Sequence, residues 1–242
     1  MELRGKGALI TGASRGLGKA LAAELARRGA RVVMVARGAE ELRSAAAEIR
    51  AQGGEAHALP GDIADKRGAL ALAAGAAALV GDIDLLVHNA STLGPLPMPL
   101  LLDTECEDLA SVLETNLVGP FRITKAVAGS MAMRGGGLVV HISSDAAVEP
   151  YPRWGSYGVS KAALDHLGRI WAAELADMGV HFLSVDPGEM DTGMHADAMP
   201  DADRSTLAHP QDVAARIASF LQSARGLTRG GRVVASGMEV AA

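Results

Sequence analysis

The chain has 242 residues, 49% of them hydrophobic but only 3% aromatic, so Ala, Val, Leu and Ile must fill a sizeable core. That length suits one large domain or two small ones. A formal net charge of −5 lacks the basic character of nucleic-acid binders and argues against that class of partner.

The first segment, MELRGKGALITG, carries charges with no long apolar core after them. No secretory signal is expected, and the chain reads as intracellular and cytoplasmic. GALITG is the first strand-like run, and TGASRGLG, Thr11 to Gly18, leads from it into the helical pattern LGKALAAELARRG. Glycines at Gly12, Gly16 and Gly18 allow a tight turn and let backbone N–H groups approach a pyrophosphate, to which the helix N-terminus adds partial positive charge. The spacing is Gly-x-x-x-Gly-x-Gly rather than the common Gly-x-Gly-x-x-Gly. In this strand–turn–helix setting it predicts dinucleotide binding, with Gly12, Ser14, Arg15, Gly16, Leu17 and Gly18 as contacts.

The second strand, ARVVMVA, ends at Ala36 and is followed by Arg37. NAD-binding proteins tend to place a carboxylate there to hold the ribose hydroxyls. None stands there, and Arg37 with Arg15 offers two guanidinium groups that suit a 2′-phosphate. The expected cofactor is therefore NADP(H), with NAD(H) less favoured.

Further strand-like runs are EAHALPG, DIDLLVHNA, GGLVVHIS, GVHFLSVDPG and GRVVAS. Between them lie the helical patterns AEELRSAAAEIRAQG, ALALAAGAAALVG, TECEDLASVLETN continuing to about Met133, the segment around Tyr157, and QDVAARIASFLQSA. Several end in Gly, and Thr104 stands three before Glu107, a capping-box spacing. Cys106, the single cysteine, cannot form an internal disulfide and sits among carboxylates in TECED, a poor setting for a nucleophilic thiolate. The apolar run at about 69–80 is too short and too Ala-rich to span a bilayer, so no membrane partner is expected. Strict alternation predicts a single α/β domain over 1–242, a Rossmann-type doubly wound parallel sheet of about seven strands with helices on both faces. Two irregular stretches, Ala90 to Asp103 and Pro187 to His209, follow strand ends, where open α/β sheets bind ligands. The second is the expected substrate loop, with Met190, Met194, His195 and Met199 as a possible lid. Tyr151, Arg153 and Trp154 could form a pocket wall or serve only the loop.

SYGVSK, Ser156 to Lys161, sets Tyr157 and Lys161 one helical turn apart, on one face. Alone, the pair is equally an ordinary surface contact. In register with it stand TGASRGLG, GDI with Asp62, HNA with Asn89, NLVGPF with Asn116, ISS with Ser143 and Ser144, and DPGEMDT with Pro187, Gly188 and Thr192. Together these elements resemble the single-domain branch of the short-chain dehydrogenase/reductase family, from Gly7 to about Ala235.

The resemblance implies a fold, an activity and roles. Tyr157 would be the general acid in carbonyl reduction and the base in alcohol oxidation. Lys161 would bond the nicotinamide ribose and lower the tyrosine pKa. Ser144, thirteen residues before Tyr157, would bond the substrate oxygen, a place Ser143 does not match. Asn116 would hold a water relaying protons to Lys161. Asp62 and Ile63 would contact the adenine, Asn89 and Ala90 would support the sheet edge beside the cofactor, Pro187 and Gly188 belong to the cofactor loop, and Thr192 would bond the carboxamide.

The expected activity is an NADPH-dependent carbonyl reductase, or the reverse alcohol oxidation, on a small-molecule ketone, aldehyde or secondary alcohol. An NADP(H)-binding redox sensor or scaffold without turnover is the alternative. The Asn116 and Tyr157 helices resemble those that pair across subunits, which implies a homodimer or homotetramer. Two positions depart from the family pattern. Ser91 replaces a glycine close to the cofactor, with a slightly altered ribose contact expected and no loss of function. Asp186 replaces a frequent Asn or Ala, and the pattern offers no account of it. His88 is expected to pack at a strand end, and no histidine has metal-ligand spacing.

Overall fold

The computed structural model describes residues 1–223 and 230–238. Its seven strands are β1 (Gly7–Thr11), β2 (Arg31–Ala36), β3 (Glu55–Pro60), β4 (Ile83–His88), β5 (Gly137–Ile142), β6 (Val180–Asp186) and β7 (Gly231–Val234). They form one parallel sheet in the order β3-β2-β1-β4-β5-β6-β7. The direction of winding reverses between β1 and β4, which opens a crevice at their carboxyl ends.

The long helices are α1 (Gly16–Arg27), α2 (Ala39–Ala51), α3 (Gly68–Val80), α4 (Cys106–Leu113), α5 (Gly119–Met133) and α6 (Gly155–Leu175). A short α7 (Gly193–Ala198) and α8 (Pro210–Ser223) follow. Strand side chains alternate between the two faces of the sheet. Ala8, Ile10, Val32 and Met34 pack under Leu21 and Leu25 of α1, Leu42 of α2 and Ile217 of α8. Leu9, Val33, Val139 and Phe182 pack under Leu72 of α3, Ile123 and Met131 of α5, and Ala172 of α6. Such continuous apolar strands are what a sheet covered on both faces requires.

Every predicted strand and helix is present, with three refinements. A π-helical turn, Glu114–Val118, interrupts the predicted α4–α5 helix. The irregular stretch after Pro187 contains α7, capped by Thr192, whose Oγ1 accepts from the His195 N–H at 3.2 Å. The Thr104 capping box does not form: α4 starts at Cys106 without a side-chain cap, and the Thr104 hydroxyl donates instead to the Leu100 carbonyl at 2.9 Å. Ala224, at the end of the predicted last helix, and the tail beyond Met238 lie outside the described residues. No helix among the described residues is long and apolar enough to cross a membrane.

His88 and His141 face each other across β4 and β5, their ring centroids 5.4 Å apart and both buried. His88 Nε2 meets Thr124 Oγ1 at 2.8 Å. Gly168 of α6 leaves room for His141: a Cβ there would stand 2.9 Å from His141 Nδ1. Burial pushes both imidazole pKa values down, helped by the Lys161 ammonium, and His141 falls to about 3.

Two outcomes follow. Phe182, 1% exposed and stacked on Trp171, should cost about 3–5 kcal/mol of urea-unfolding stability when replaced by Ala. Between pH 6.5 and about 3 the unfolded chain binds a proton at His141 that the folded chain refuses, so stability falls as pH falls through that window. His141→Gln should flatten that decline in acid titrations of unfolding free energy; an unchanged slope would remove His141 as its source.

Candidate active site

At the β1–β4 crevice lies a cleft of about 1430 Å³, above the ~300–1000 Å³ of ordinary ligand pockets. It has room for a dinucleotide and a second ligand.

Thr11 and Asn89 close its floor. Thr11 Oγ1 accepts from the N–H groups of Asn89 and Ala90, each at 3.1 Å. Asn89 Nδ2 donates to the carbonyls of Thr11 (3.1 Å) and Gly12 (3.0 Å). The glycine loop is so close that a Cβ at Gly12 would stand 2.7 Å from Ala90 Cα, and one at Gly18 would stand 2.3 Å from the Gly12 carbonyl oxygen. The α1 N-terminus has no side-chain cap and no acidic residue in its first turn. Its free N–H groups and close backbone therefore fit a pyrophosphate. Thr192 stands over this turn, its Cγ2 3.6 Å from a Cβ built at Gly16.

Arg15, Arg37, Asp62 and Ile63 line the cleft at the end that holds the glycine loop. Both arginines are exposed, and neither guanidinium is in an ion pair among the described residues. Asp62 Oδ1 accepts from the Ala64 N–H, which turns the chain after β3. No carboxylate directly follows β2, but one reaches the glycine loop from α2. The first turn of α2 folds Glu41 back onto the loop, where its Oε2 accepts from the Ser14 hydroxyl at 3.0 Å.

Tyr157, Lys161 and Ser144 line the other end of the same cleft. Lys161 is buried, donates to the Ile142 carbonyl at 2.8 Å, and lies 5.5 Å from the Tyr157 ring centre. Burial lowers its pKa to about 8, against a raising pull from Asp165. Burial pushes the Tyr157 phenol up to about 12; adjoining hydroxyls of Ser144 and Ser91 draw it down, while Asp145 and Asp186 push it up. Removing a phenolate from water outweighs the pull of these hydroxyls. Around Tyr157 stand apolar groups: Leu93, Met98 and Ala146, with Trp154, Met194 and Ala198 packed against them.

Ser143 and Ser144 part ways. The Ser143 hydroxyl donates to Asp165 Oδ2 at 2.8 Å. That of Ser144 donates to Asp145 Oδ1 at 2.9 Å and accepts from the Ala146 N–H. Asn116 is buried on the π turn, where such bulges often mark functional sites. Its Nδ2 donates to the Thr92 carbonyl and to Ser160 Oγ, both at 2.9 Å, and its Oδ1 accepts from the Thr92 N–H at 2.8 Å. Both amide donors are taken, so the side chain itself could meet the expected water only through an Oδ1 lone pair.

Residues the sequence left unexplained acquire partners here. Asp186 Oδ1 accepts from the Gly188 N–H at 3.0 Å and its Oδ2 from Arg232 Nη2 at 2.8 Å. Arg232 also donates to the Ser144 carbonyl at 3.0 Å and lies 3.3 Å from Asp165. This arginine of β7 ties the ends of β5 and β6 to α6, and no local motif could have revealed it. Met190, Met194, His195 and Met199 all line the cleft, as do Tyr151 and Trp154. Arg153 instead reaches the Met98 carbonyl. Cys106 is a free, exposed thiol.

Comparison with known proteins agrees with this arrangement. The profile of the family described as short chain dehydrogenase matches residues 6–203. An uncharacterized oxidoreductase of Thermotoga maritima is 36% identical over 78% of this chain and 73% of its own. The 3-oxoacyl-[acyl-carrier-protein] reductase FabG of Vibrio cholerae is 32% identical over 92% of each chain. Among solved structures, a 7α-hydroxysteroid dehydrogenase complexed with NADH and 7-oxo glycochenodeoxycholic acid superposes with a TM-score of 0.87 at 30% identity, covering 99% of this chain and 97% of its own. Actinorhodin polyketide ketoreductase with NADPH also gives 0.87, at 29% identity over 95% of each chain. With the parallel sheet, the glycine cradle and the Tyr157–Lys161 helix at one cleft, these matches carry one conclusion: the chain belongs to the short-chain dehydrogenase/reductase family of oxidoreductases.

Proposed function

We propose that this chain is an NADP(H)-dependent carbonyl reductase for a ketone or aldehyde, with Tyr157 as general acid and as base in the reverse oxidation. The observation that carries the reading is the single cleft that holds the glycine cradle at one end and Tyr157, Ser144 and Lys161 at the other. A bound nicotinamide supplies the hydride, and the chain places and polarises the reactants. The substrate oxygen sits between the Ser144 and Tyr157 hydroxyls. As negative charge grows on that oxygen, the phenol releases its proton to it. A phenol raised to about 12 is protonated at neutral pH, the state a proton donor needs. The Lys161 ammonium near the ring favours the phenolate left behind. Apolar walls from Leu93, Met98, Trp154 and Met194 suit a substrate with an apolar body.

Arg15 and Arg37 favour NADP(H) through the 2′-phosphate. Glu41 beside Ser14 supports the second reading, NAD(H), because a carboxylate there accepts from ribose hydroxyls. The helices α5 and α6 leave Phe121, Val159 and Ile170 partly exposed. We assign that side to a homodimer or homotetramer contact, and the free thiol of Cys106 fits a cytoplasmic setting.

Nicotinamide absorbance over a panel of ketones, aldehydes and alcohols, with NADPH and NADH, tests the function. Turnover of one carbonyl supports it; tight NADPH binding without any turnover favours a sensor. Tyr157→Phe should cut kcat by about 10²–10⁴-fold with NADPH affinity unchanged, and retained turnover would take Tyr157 out of its role. Arg37→Asp should weaken NADPH binding by roughly tenfold or more while sparing NADH. Equal loss for both cofactors would count against the phosphate assignment.

A further inference from the structure

Asp145 opens a short turn, Asp145–Ala147, directly after Ser144, and both residues line the cleft. An ionised carboxylate only accepts hydrogen bonds, with room for about four on its two oxygens. Groups of this chain fill most of that room. Oδ1 accepts from the Ser144 hydroxyl at 2.9 Å and from the Ala146 N–H at 2.8 Å, and Oδ2 accepts from the Tyr151 hydroxyl at 2.9 Å. The Tyr151 ring packs edge-on to Trp154, and Trp154 edge-on to Tyr157, so the carboxylate is held against the apolar wall of the pocket. Asp145 is in no ion pair among the described residues.

A serine hydroxyl has a single hydrogen, and Asp145 holds that of Ser144. For Ser144 to bond a substrate oxygen, the hydrogen must turn from Asp145 to the carbonyl, which leaves Oδ1 one donor short. The Ala146 N–H is fixed by the backbone, and the Tyr151 hydroxyl already serves Oδ2. A donor carried by the substrate can take the vacated place. Ser144 Oγ and Asp145 Oδ1 are 2.9 Å apart, the reach of a single substituent, so that donor belongs on the carbon next to the carbonyl. A carboxylate there has no hydrogen to give at neutral pH and meets Asp145 with like charge.

We propose that Asp145 is a specificity-determining residue and that the substrate class is the α-hydroxy or α-amino carbonyl compound. Its O–H or N–H replaces Ser144 at Asp145 while its carbonyl oxygen takes the Ser144 hydrogen. The inference rests on the reading of Ser144 and Tyr157 as the groups that bind the carbonyl oxygen.

Three aryl ketones of similar size read the preference: α-hydroxyacetophenone, propiophenone and benzoylformate. They place a hydroxymethyl, an ethyl and a carboxylate group on the carbonyl carbon. Titration calorimetry on the protein loaded with oxidised cofactor measures their affinities in a complex whose carbonyl cannot be reduced. The hydroxy ketone should bind about fivefold or more tighter than propiophenone, with benzoylformate weakest. Asp145→Ala should bring the hydroxy ketone and propiophenone to within about twofold of each other. Asp145→Asn, which keeps the shape of the side chain, should lessen the preference and relieve the penalty on benzoylformate. Equal affinities in the parent protein, or a preference that survives in Asp145→Ala, overturn the proposal. So does absence of α-hydroxyacetophenone binding at millimolar concentration. Failure of the reductase reading is a separate result: none of the three ketones is turned over with NADPH or NADH, whatever their affinities.

Discussion

The stitch between the ends of β1 and β4 is the constraint on which the site depends. Thr11 Oγ1 gathers the N–H groups of Asn89 and Ala90, and Asn89 returns its amide to the carbonyls of Thr11 and Gly12. These bonds tie together the ends of two strands whose chains then leave the sheet in opposite directions, and the cleft opens above that tie. They also begin a longer path. Thr92 passes the anchor to Asn116, Asn116 to Ser160, and the Ser160 hydroxyl to the Tyr157 carbonyl at 2.6 Å. The glycine cradle and the tyrosine helix are thus joined by hydrogen bonds running through partly or wholly buried groups. Loss of any link would leave a buried amide or hydroxyl unpaired.

Burial then sets the chemistry. The same dry environment raises the Tyr157 phenol, lowers the Lys161 ammonium and keeps His88 and His141 neutral. Two carboxylates close to this site, Asp165 and Asp186, are retained because Arg232 faces both. Buried charges persist where an opposite charge and hydrogen bonds satisfy them. Arg232 also holds the Ser144 carbonyl, so the last strand of the sheet helps shape the site although it carries no residue of the catalytic set.

Three positions set donors and charge around the cleft. Ser91 lines the cleft with an Oγ that is shut off from solvent and has no hydrogen-bond partner among the described residues. Asp145 takes the Ser144 hydrogen with one oxygen and the Tyr151 hydroxyl with the other, placing negative charge at the mouth of an otherwise apolar pocket. Glu41 sets a carboxylate against Ser14 in the region of Arg15 and Arg37.

By itself the sequence determined the alternation of strands and helices, the glycine turn after β1, and the one-turn spacing of Tyr157 and Lys161. These are local properties: side-chain period, backbone freedom and helical pitch are all read over a few residues. The capping box at Thr104 failed within that same local range, since the Thr104 hydroxyl bonds the Leu100 carbonyl four residues back instead of capping α4. The tertiary structure alone decided which groups meet across the chain. Asp186 with Arg232, Ser14 with Glu41, and Asn116 with Thr92 lie 24 to 46 residues apart, and no periodicity encodes such pairs. It also decided the direction of the Tyr157 shift, because desolvation depends on everything packed around a group and not on its neighbours in sequence.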